Sequence, residues 1–290
     1  MVPESPFVAV VLTLNEIRNI DACLEGLSLV ASKVLVIDSG STDGTVERAR
    51  ALGATVVHHA FTTHAEQWTY GLGLVARGDW VIALDADQRV TPELAVDLLR
   101  IARTAGPEIE GIFVNRLHVF RGTPLRHGGL FPKWMLKVFR RGAGFTDPRE
   151  LLDFRFYVKG ATSKATGLLI EANQNEREIS FWIEKHNRFS DKQAREEDSR
   201  SQESAWSVRP SLFGHPDQRI LWLKDRWYRA PLYVRPFAYF LYRYLLRLGF
   251  LDGKQGFVFH VLQAFWYRLL VDIKLDELRS RSRSDLSDPA

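Results

Sequence analysis

The sequence predicts an α/β fold: an open, mostly parallel sheet flanked by helices, followed by a C-terminal amphipathic helical region that associates with a membrane surface. Three observations carry this. Short, continuous, β-branched apolar runs recur in the first third of the chain, stretches of helical apolar spacing separate them, and aromatic and basic residues gather near the C-terminus.

The runs at 8–14, 34–37 and 81–84 are too short for buried helices, and their continuous apolarity implies burial on both faces, as in a parallel sheet. Between them, 17–27, 44–53 and 64–76 carry helical spacing, exemplified by Val46, Ala49 and Leu52. Strand alternating with helix gives parallel strands joined by crossovers. Thr91 followed by Pro92 announces a further helix, an N-cap residue ahead of a first-turn proline.

Composition sets the outer bounds. With 290 residues, 46% hydrophobic and 26% charged, the chain is a folded protein of one large or two ordinary domains, neither disordered nor a polytopic membrane protein. The single cysteine, Cys23, excludes disulfide knots and thiolate metal clusters and suits a reducing, cytoplasmic setting. The N-terminus has no basic segment ahead of its short apolar run, so no signal peptide is expected there.

In an open α/β sheet, ligands bind outside the carboxyl ends of the strands. The residues there are polar: Thr13, Asn15 and Glu16 after the first run, Asp38, Ser39 and a Ser/Thr/Gly loop after the second, Asp85, Ala86 and Asp87 after the third. Singly, Asn15 or Asp38 reads first as a turn or cap residue. Asp85 and Asp87 together bring like charges to the end of a buried strand, which requires a cation or hydrogen bonds in compensation. All-oxygen ligation of that kind suits Mg2+ or Mn2+ bridging to phosphate, not zinc.

These stretches resemble family 2 glycosyltransferases of the GT-A fold: TLNEIRNI (13–20), DSGSTDGT (38–45), the surroundings of Gln67, and GDWVIALDADQRV (78–90) with its Asp-x-Asp, in order and at the right spacing. The resemblance covers 5 to about 120 as a nucleotide-sugar half. The acceptor half, 121–205, and the region from 206 are similar to a subset that includes lipopolysaccharide-core glucosyltransferases, through FWIEKHNRFS (181–190) and GFLDGKQGF (249–257). The resemblance implies that Thr13 and Asp38 contact the base, usually uracil, that Asn15, Glu16, Ser39, Gln67 and Ala86 belong to the nucleotide-sugar site, and that Asp85 lies near the ribose. It implies that Asp87 holds a Mn2+ or Mg2+ ion bridging the diphosphate. It further implies inversion by direct attack of an acceptor hydroxyl, with a carboxylate as general base.

For that base, relatives place an acid shortly before a strand and a glycine; Asp147, Glu150 and Asp153 all precede FRFYVKG (154–160), and spacing to Gly160 favours Asp153, with Glu150 as the alternative. Arg140 and Arg141, after the apolar MLKVF run, read either as a phosphate clamp or as surface charges. Trp182, Lys185, His186 and Asn187 share a helical face that either borders an acceptor cleft or simply docks Trp182.

Three motifs fail on context. Gly71-x-Gly73-x-x-Ala76 closes a helix where a dinucleotide fingerprint must open one. Ser41 stands where an aspartyl phosphatase needs a nucleophilic carboxylate. His64-Ala65-Glu66 lacks the cysteines of a zinc deaminase.

The segment 206–275 holds 11 basic and 4 acidic residues and 17 aromatics. Its longest uncharged run is 255–267, too short for the ~20 residues that span a bilayer, so the region lies on an anionic membrane surface or packs as a soluble helical pair. No nucleic-acid module is recognisable. The sequence therefore points to a metal-dependent, inverting transferase, moving a sugar from a nucleotide sugar, with UDP as nucleotide, to a lipid-linked glycan hydroxyl at the cytoplasmic membrane face. Transfer to polyprenyl phosphate, a non-catalytic sugar-nucleotide or glycan-binding scaffold, and a nucleotidyltransferase are the alternatives; the last should show a Gly-rich basic loop where Asn15 to Arg18 stand.

Overall fold

The apolar runs become strands where the sequence places them. In the computed structural model, which describes residues 1–2, 4–76, 80–147, 155–202 and 208–287, the chain opens with β1 (Phe7–Thr13), α1 (Ile20–Ser28), β2 (Lys33–Asp38), α2 (Thr45–Ala51), β3 (Thr55–His58), α3 (His64–Gly73) and β4 (Trp80–Asp85). These four strands pair in parallel. Their residues alternate between two buried clusters: Ala9, Val11, Val36, Ile82 and Leu84 on one face, Val10, Leu35, Ile37, Val81 and Ala83 on the other. Burial on both faces is why the runs read as continuous rather than alternating. Thr91 caps its helix as expected, and Thr63 caps α3 in the same way, each hydroxyl accepting from the amide three residues on, Leu94 at 3.3 Å and Glu66 at 3.1 Å.

The chain continues through β5 (Gln88–Val90), α4 (Pro92–Thr104), β6 (Ile109–Phe120), β7 (Thr123–Pro124), β8 (Lys133–Arg140) and β9 (Ala161–Glu171). The sheet order is β3-β2-β1-β4-β8-β6-β9-β5, with β7 on β6. The pairs β4·β8, β8·β6 and β9·β5 are antiparallel. The sheet is therefore mixed, where the sequence suggested mostly parallel strands; the antiparallel half lies beyond the stretch in which strand and helix alternate. Only Ala86 and Asp87 separate β4 from β5 in the chain, yet three strands lie between them in the sheet. The sheet must curl to close that gap, which sets the Asp-x-Asp turn at its fold line. Gly26 allows α1 to lie against the β5 backbone: a Cβ there would meet the Val90 carbonyl oxygen at 2.7 Å. Gly71 does the same for α3, where a Cβ would stand 2.9 Å from Val10 and Ile37, so the first glycine of the false dinucleotide motif serves packing, while Gly73 faces open space.

By contacts, the described residues divide into one unit of 1–124, 131–147 and 155–175 and a second of 125–130 and 176–287. The second holds α5 (Ile179–Gln202), α6 (Pro216–Tyr228), α7 (Val234–Leu241), α8 (Gly253–Phe259) and α9 (Tyr267–Ser287), with π-helical turns at Tyr242–Leu246 and His260–Trp266. The composition change at 206 falls inside this unit, because α5 packs along α9 through Ala194, Phe189, Tyr267, Val271 and Leu275. Trp182 is wholly buried and stacks on His186 at 3.5 Å; Lys185 pairs with Glu176 and Asn187 accepts from Lys274. The four residues singled out on this face thus serve helix packing. Among the described residues, no helix is long and apolar enough to cross a membrane.

Candidate functional site

The carboxyl ends of β2, β1 and β4 stand side by side, with Thr13 opposite Asp38 and Leu12 opposite Asp85 in register. Thr13 Oγ1 donates to Asp38 Oδ1 at 2.9 Å, and Asp38 also accepts from the Ser41 hydroxyl at 2.5 Å and from the Gly40 and Ser41 amides at 2.9 Å each. Burial alone would raise this carboxyl, but the donors outweigh it and hold the group below the usual carboxylate range. All four of its acceptor positions are taken, and it is 2% exposed. Asp38 is therefore the organiser of the loop after β2.

The loop after β1 is laced to it. Asn15, in a left-handed conformation at φ 57° that Asn tolerates, donates its amide to Ser41 Oγ at 2.8 Å and accepts from the Thr42 amide at 2.9 Å. The Glu16 amide donates to Thr45 Oγ1 at 2.8 Å. Gln67, buried on α3, donates through Nε2 to Ser39 Oγ at 2.7 Å and to the His59 carbonyl at 2.9 Å. Thr13, Asn15, Glu16, Asp38, Ser39 and Gln67 are thus brought into one connected rim.

At the Asp-x-Asp turn the compensation that the like-charge argument demands is present in the protein. Asp85, 46% exposed at its side chain, accepts from Lys137 Nζ at 3.0 Å, and that lysine is 4% exposed. Asp87 Oδ2 accepts from Asn173 Nδ2 at 3.1 Å, while its carbonyl accepts from the Ala172 amide at 3.0 Å. Asn173 is itself fixed, its Oδ1 accepting from the Asn175 amide at 2.9 Å and from Asn19 Nδ2 at 3.3 Å. Asn19 also donates to Glu16 Oε2 at 2.6 Å, so one polar network ties the first loop to Asp87. Ala86 is buried beneath the turn.

Behind the turn, Gln88 accepts the Asp85 amide at 3.2 Å and donates to Glu171 Oε2 at 2.9 Å. Glu171 also accepts from Arg116 at 2.7 Å and faces His118 Nδ1 at 3.1 Å. Burial would raise the Glu171 carboxyl, but the Arg116 charge and the His118 hydrogen bond dominate and keep it well below the usual range. The expected divalent ion fits this arrangement in one form only. Among the described residues no group of three His, Cys, Asp or Glu gathers as an all-protein cage; Asp87 offers hard oxygen, and Mg2+ or Mn2+ held that way completes its shell with water and substrate phosphate.

Arg140 is not brought to this end. Its guanidinium donates to the carbonyls of Ile109 (3.0 Å) and Gly106 (3.2 Å) and stacks 4.4 Å from the Trp80 ring, at the opposite end of β4 from Asp85 and about 16 Å away at ~3.3 Å per residue. Arg141 likewise binds the Leu72 carbonyl. Asp153 and Glu150 lie outside the described residues. Lys137, Asn173, Asn19, Gln88, Arg116, His118 and Glu171 were not foreseen. Lys137 carried a signal, a lone charge inside the apolar MLKVF run, since a buried lysine needs a partner.

The profile of the family described as Glycosyl transferase family 2 matches residues 8–160. The lipopolysaccharide core biosynthesis glycosyltransferase LpsC of Rhizobium meliloti (strain 1021) is 27% identical over 176 residues, 59% of this chain and 64% of that protein. An uncharacterized glycosyltransferase of Rickettsia bellii (strain RML369-C) is 34% identical over 86 residues, 30% of this chain and 29% of that one. Glucosyl-3-phosphoglycerate synthase from Mycobacterium tuberculosis, solved with Mn2+, UDP and glucosyl-3-phosphoglycerate, aligns at 27% identity and a TM-score of 0.32 over 40% of this chain and 44% of its own. The matched stretches span less than two thirds of each of these relatives.

Proposed function

Because the chain belongs to glycosyl transferase family 2 and carries a domain of glycosyltransferase type over residues 8–160, we propose that it moves a sugar from a nucleoside diphosphate, most simply UDP, to a hydroxyl of a lipid-linked glycan at the cytoplasmic membrane face, with inversion and with a divalent metal. The observation that carries this reading is the convergence of three parallel strand ends on an acidic turn whose two carboxylates are held differently, Asp85 by Lys137 and Asp87 by Asn173. The name of the LpsC relative supports an envelope glycan as acceptor.

The residues divide the work as follows. Thr13, Asp38 and Gln67 hold the loops after β1 and β2 in shape, presenting Ser39, Asn15 and Glu16 at the rim where a nucleoside is received. Lys137 neutralises Asp85, while Asp87 is oriented at the turn by Asn173. Asp87 is the residue to hold the ion, which when bound acts as a Lewis acid on the leaving diphosphate. A carboxylate takes the proton of the acceptor hydroxyl, a contribution of roughly 10²- to 10⁴-fold, and Asp153 is the candidate with Glu150 behind it.

The test is calorimetry of UDP with and without Mn2+, beside release of UDP from UDP-sugars. Wild type is expected to take up UDP only with the metal, and Asp87→Asn to lose metal-dependent uptake together with roughly a hundredfold or more of turnover. Metal-independent uptake, or an Asp87→Asn protein with unchanged turnover, overturns the assignment.

A further inference from the structure

The second unit carries its apolar residues on the outside in a pattern too ordered for scattered surface exposure. Val234, Phe237, Leu241, Leu245 and Leu248 recur at spacings of three and four through α7 and the π-helical turn, and each is 46–62% exposed. Leu246, at 75%, and Phe250 and Leu251, in the 3-10 turn Gly249–Asp252, continue the surface. Single exposed leucines need no explanation, but a contiguous face of this kind marks a contact surface.

The charges on this surface are of one sign. From Asp225 to Asp272 the sequence holds a single acid between them, Asp252. That carboxylate is 4% exposed, turned inward to His127 Nδ1 at 2.7 Å and to the amides of Arg126 and His127. Arg235 and Arg243 are buried as well. What remains at the surface beside the leucines is Arg247 and Lys254, both exposed. A face of Leu and Phe flanked by cations, with its only carboxylate folded away, is complementary to the boundary between acyl chains and anionic headgroups. A second copy of the chain would meet the same cations across a two-fold axis and gain no opposite charge.

We propose that the face formed by residues 234–257 docks on an anionic lipid bilayer, lying in the headgroup layer with Leu245 and Leu246 among the acyl chains and Arg247 and Lys254 on lipid phosphates. This names the partner of the second unit; it rests on the membrane location in the reading above but on none of its chemistry.

Vesicle flotation of the full chain tests it. Wild type is expected to float with phosphatidylglycerol-rich vesicles and not with pure phosphatidylcholine. The pair Leu245→Asp with Leu246→Asp should lower the partition coefficient more than tenfold, and Arg247→Glu with Lys254→Glu by at least as much, at ~5-fold per cation removed and again per charge reversed. Both pairs alter exposed side chains, and UDP release from UDP-sugar in lipid-free solution should stay at the wild-type rate. Wild type remaining in the soluble fraction, both variants floating as well as wild type, or a concentration-dependent dimer that the leucine pair makes monomeric each overturn the proposal, the last in favour of a second copy. Absence of UDP binding with intact flotation would sink the transferase reading and leave the docking surface standing.

Discussion

The two units treat charge and grease in opposite ways. In the sheet unit aliphatic and aromatic side chains fill two buried clusters and the charged groups gather at strand ends, where loop amides hold Asp38 and single cations meet Asp85 and Glu171. In the helical unit a guanidinium lies at the centre: Arg235, 3% exposed, donates to Asp272 at 2.8 Å, to Glu197 at 2.6 Å and to the Trp227 carbonyl at 2.9 Å, while leucines and phenylalanines face outward. A sheet buried on both faces obtains its stability from apolar area, roughly 25 cal/mol per Å². A small helical layer that keeps part of its apolar area outside must hold together by something more specific. The lesson is that the exposed leucines and the buried ion cluster are two sides of one arrangement.

The largest effect is expected from breaking that cluster. Arg235→Ala removes the guanidinium that pairs directly with both buried carboxylates, Glu197 and Asp272, leaving only the more distant Arg268 charge near Glu197. Burial already raises the Glu197 carboxyl against the pull of Arg235, so the loss is expected at about 3–5 kcal/mol, read as a lowered unfolding transition of the helical unit. A loss below about 1 kcal/mol, the range of an exposed pair, would show that the cluster is incidental and that the comparison between the units fails.

A smaller effect separates the units by pH. His260 is fully buried, with neither ring nitrogen hydrogen-bonded; it is packed against the backbones of Gly128 and Gly249, with Tyr244 beside it. Burial first, and then the Arg243 charge, push its pKa down to about 4, with Asp252 opposing. A histidine depressed in the folded state is neutral there and protonated when unfolded, so its stability is full above about 6.5 and is lost as pH falls towards 4, on the order of 1–3 kcal/mol. The sheet unit should hold through this window, because Asp38, Asp43 and Glu171 are depressed and weaken only when pH drops below the ordinary carboxylate range. Two transitions in an acid titration followed by hydrogen exchange, with the first abolished by His260→Asn, are the expected result; one common transition contradicts it.

What the sequence revealed of this architecture follows from direction and periodicity. The parallel half was legible because runs buried on both faces advertise themselves, and their polar ends mark one edge of the sheet. Arg140 was misplaced for a geometric reason: it follows an apolar run as Asp85 does, but β8 is antiparallel to β4, so its C-terminal residue stands at the far end. Strand direction is a property of pairing, which no local pattern records. The helices of the second unit were foreseen by aromatic and basic content, yet not its boundary, since α5 joins α9 through contacts some eighty residues apart. Lys137 and Asn173 become visible only when β8 and the end of β9 are brought to the turn.

The smallest expected effect sharpens the other side of the comparison, at a strand-end carboxylate that a neutral side chain orients. Asn173 is turned by the Asn175 amide and Asn19 so that its Nδ2 meets Asp87 Oδ2. That hydrogen bond engages one oxygen of the carboxylate and orients the group. Removing such an outer partner weakens a metal site about 10- to 100-fold without dismantling it. Asn173→Ala should therefore raise the Mn2+ concentration for half-maximal UDP uptake by about tenfold, near 1.4 kcal/mol, while the melting temperature without metal moves little and saturating Mn2+ restores turnover. Asn19→Ala, one hydrogen bond further from the carboxylate, should shift it in the same direction by less. A melting temperature that collapses in both variants with unchanged metal affinity would make the network a brace for the fold, as the Arg235 cluster is for the helical unit.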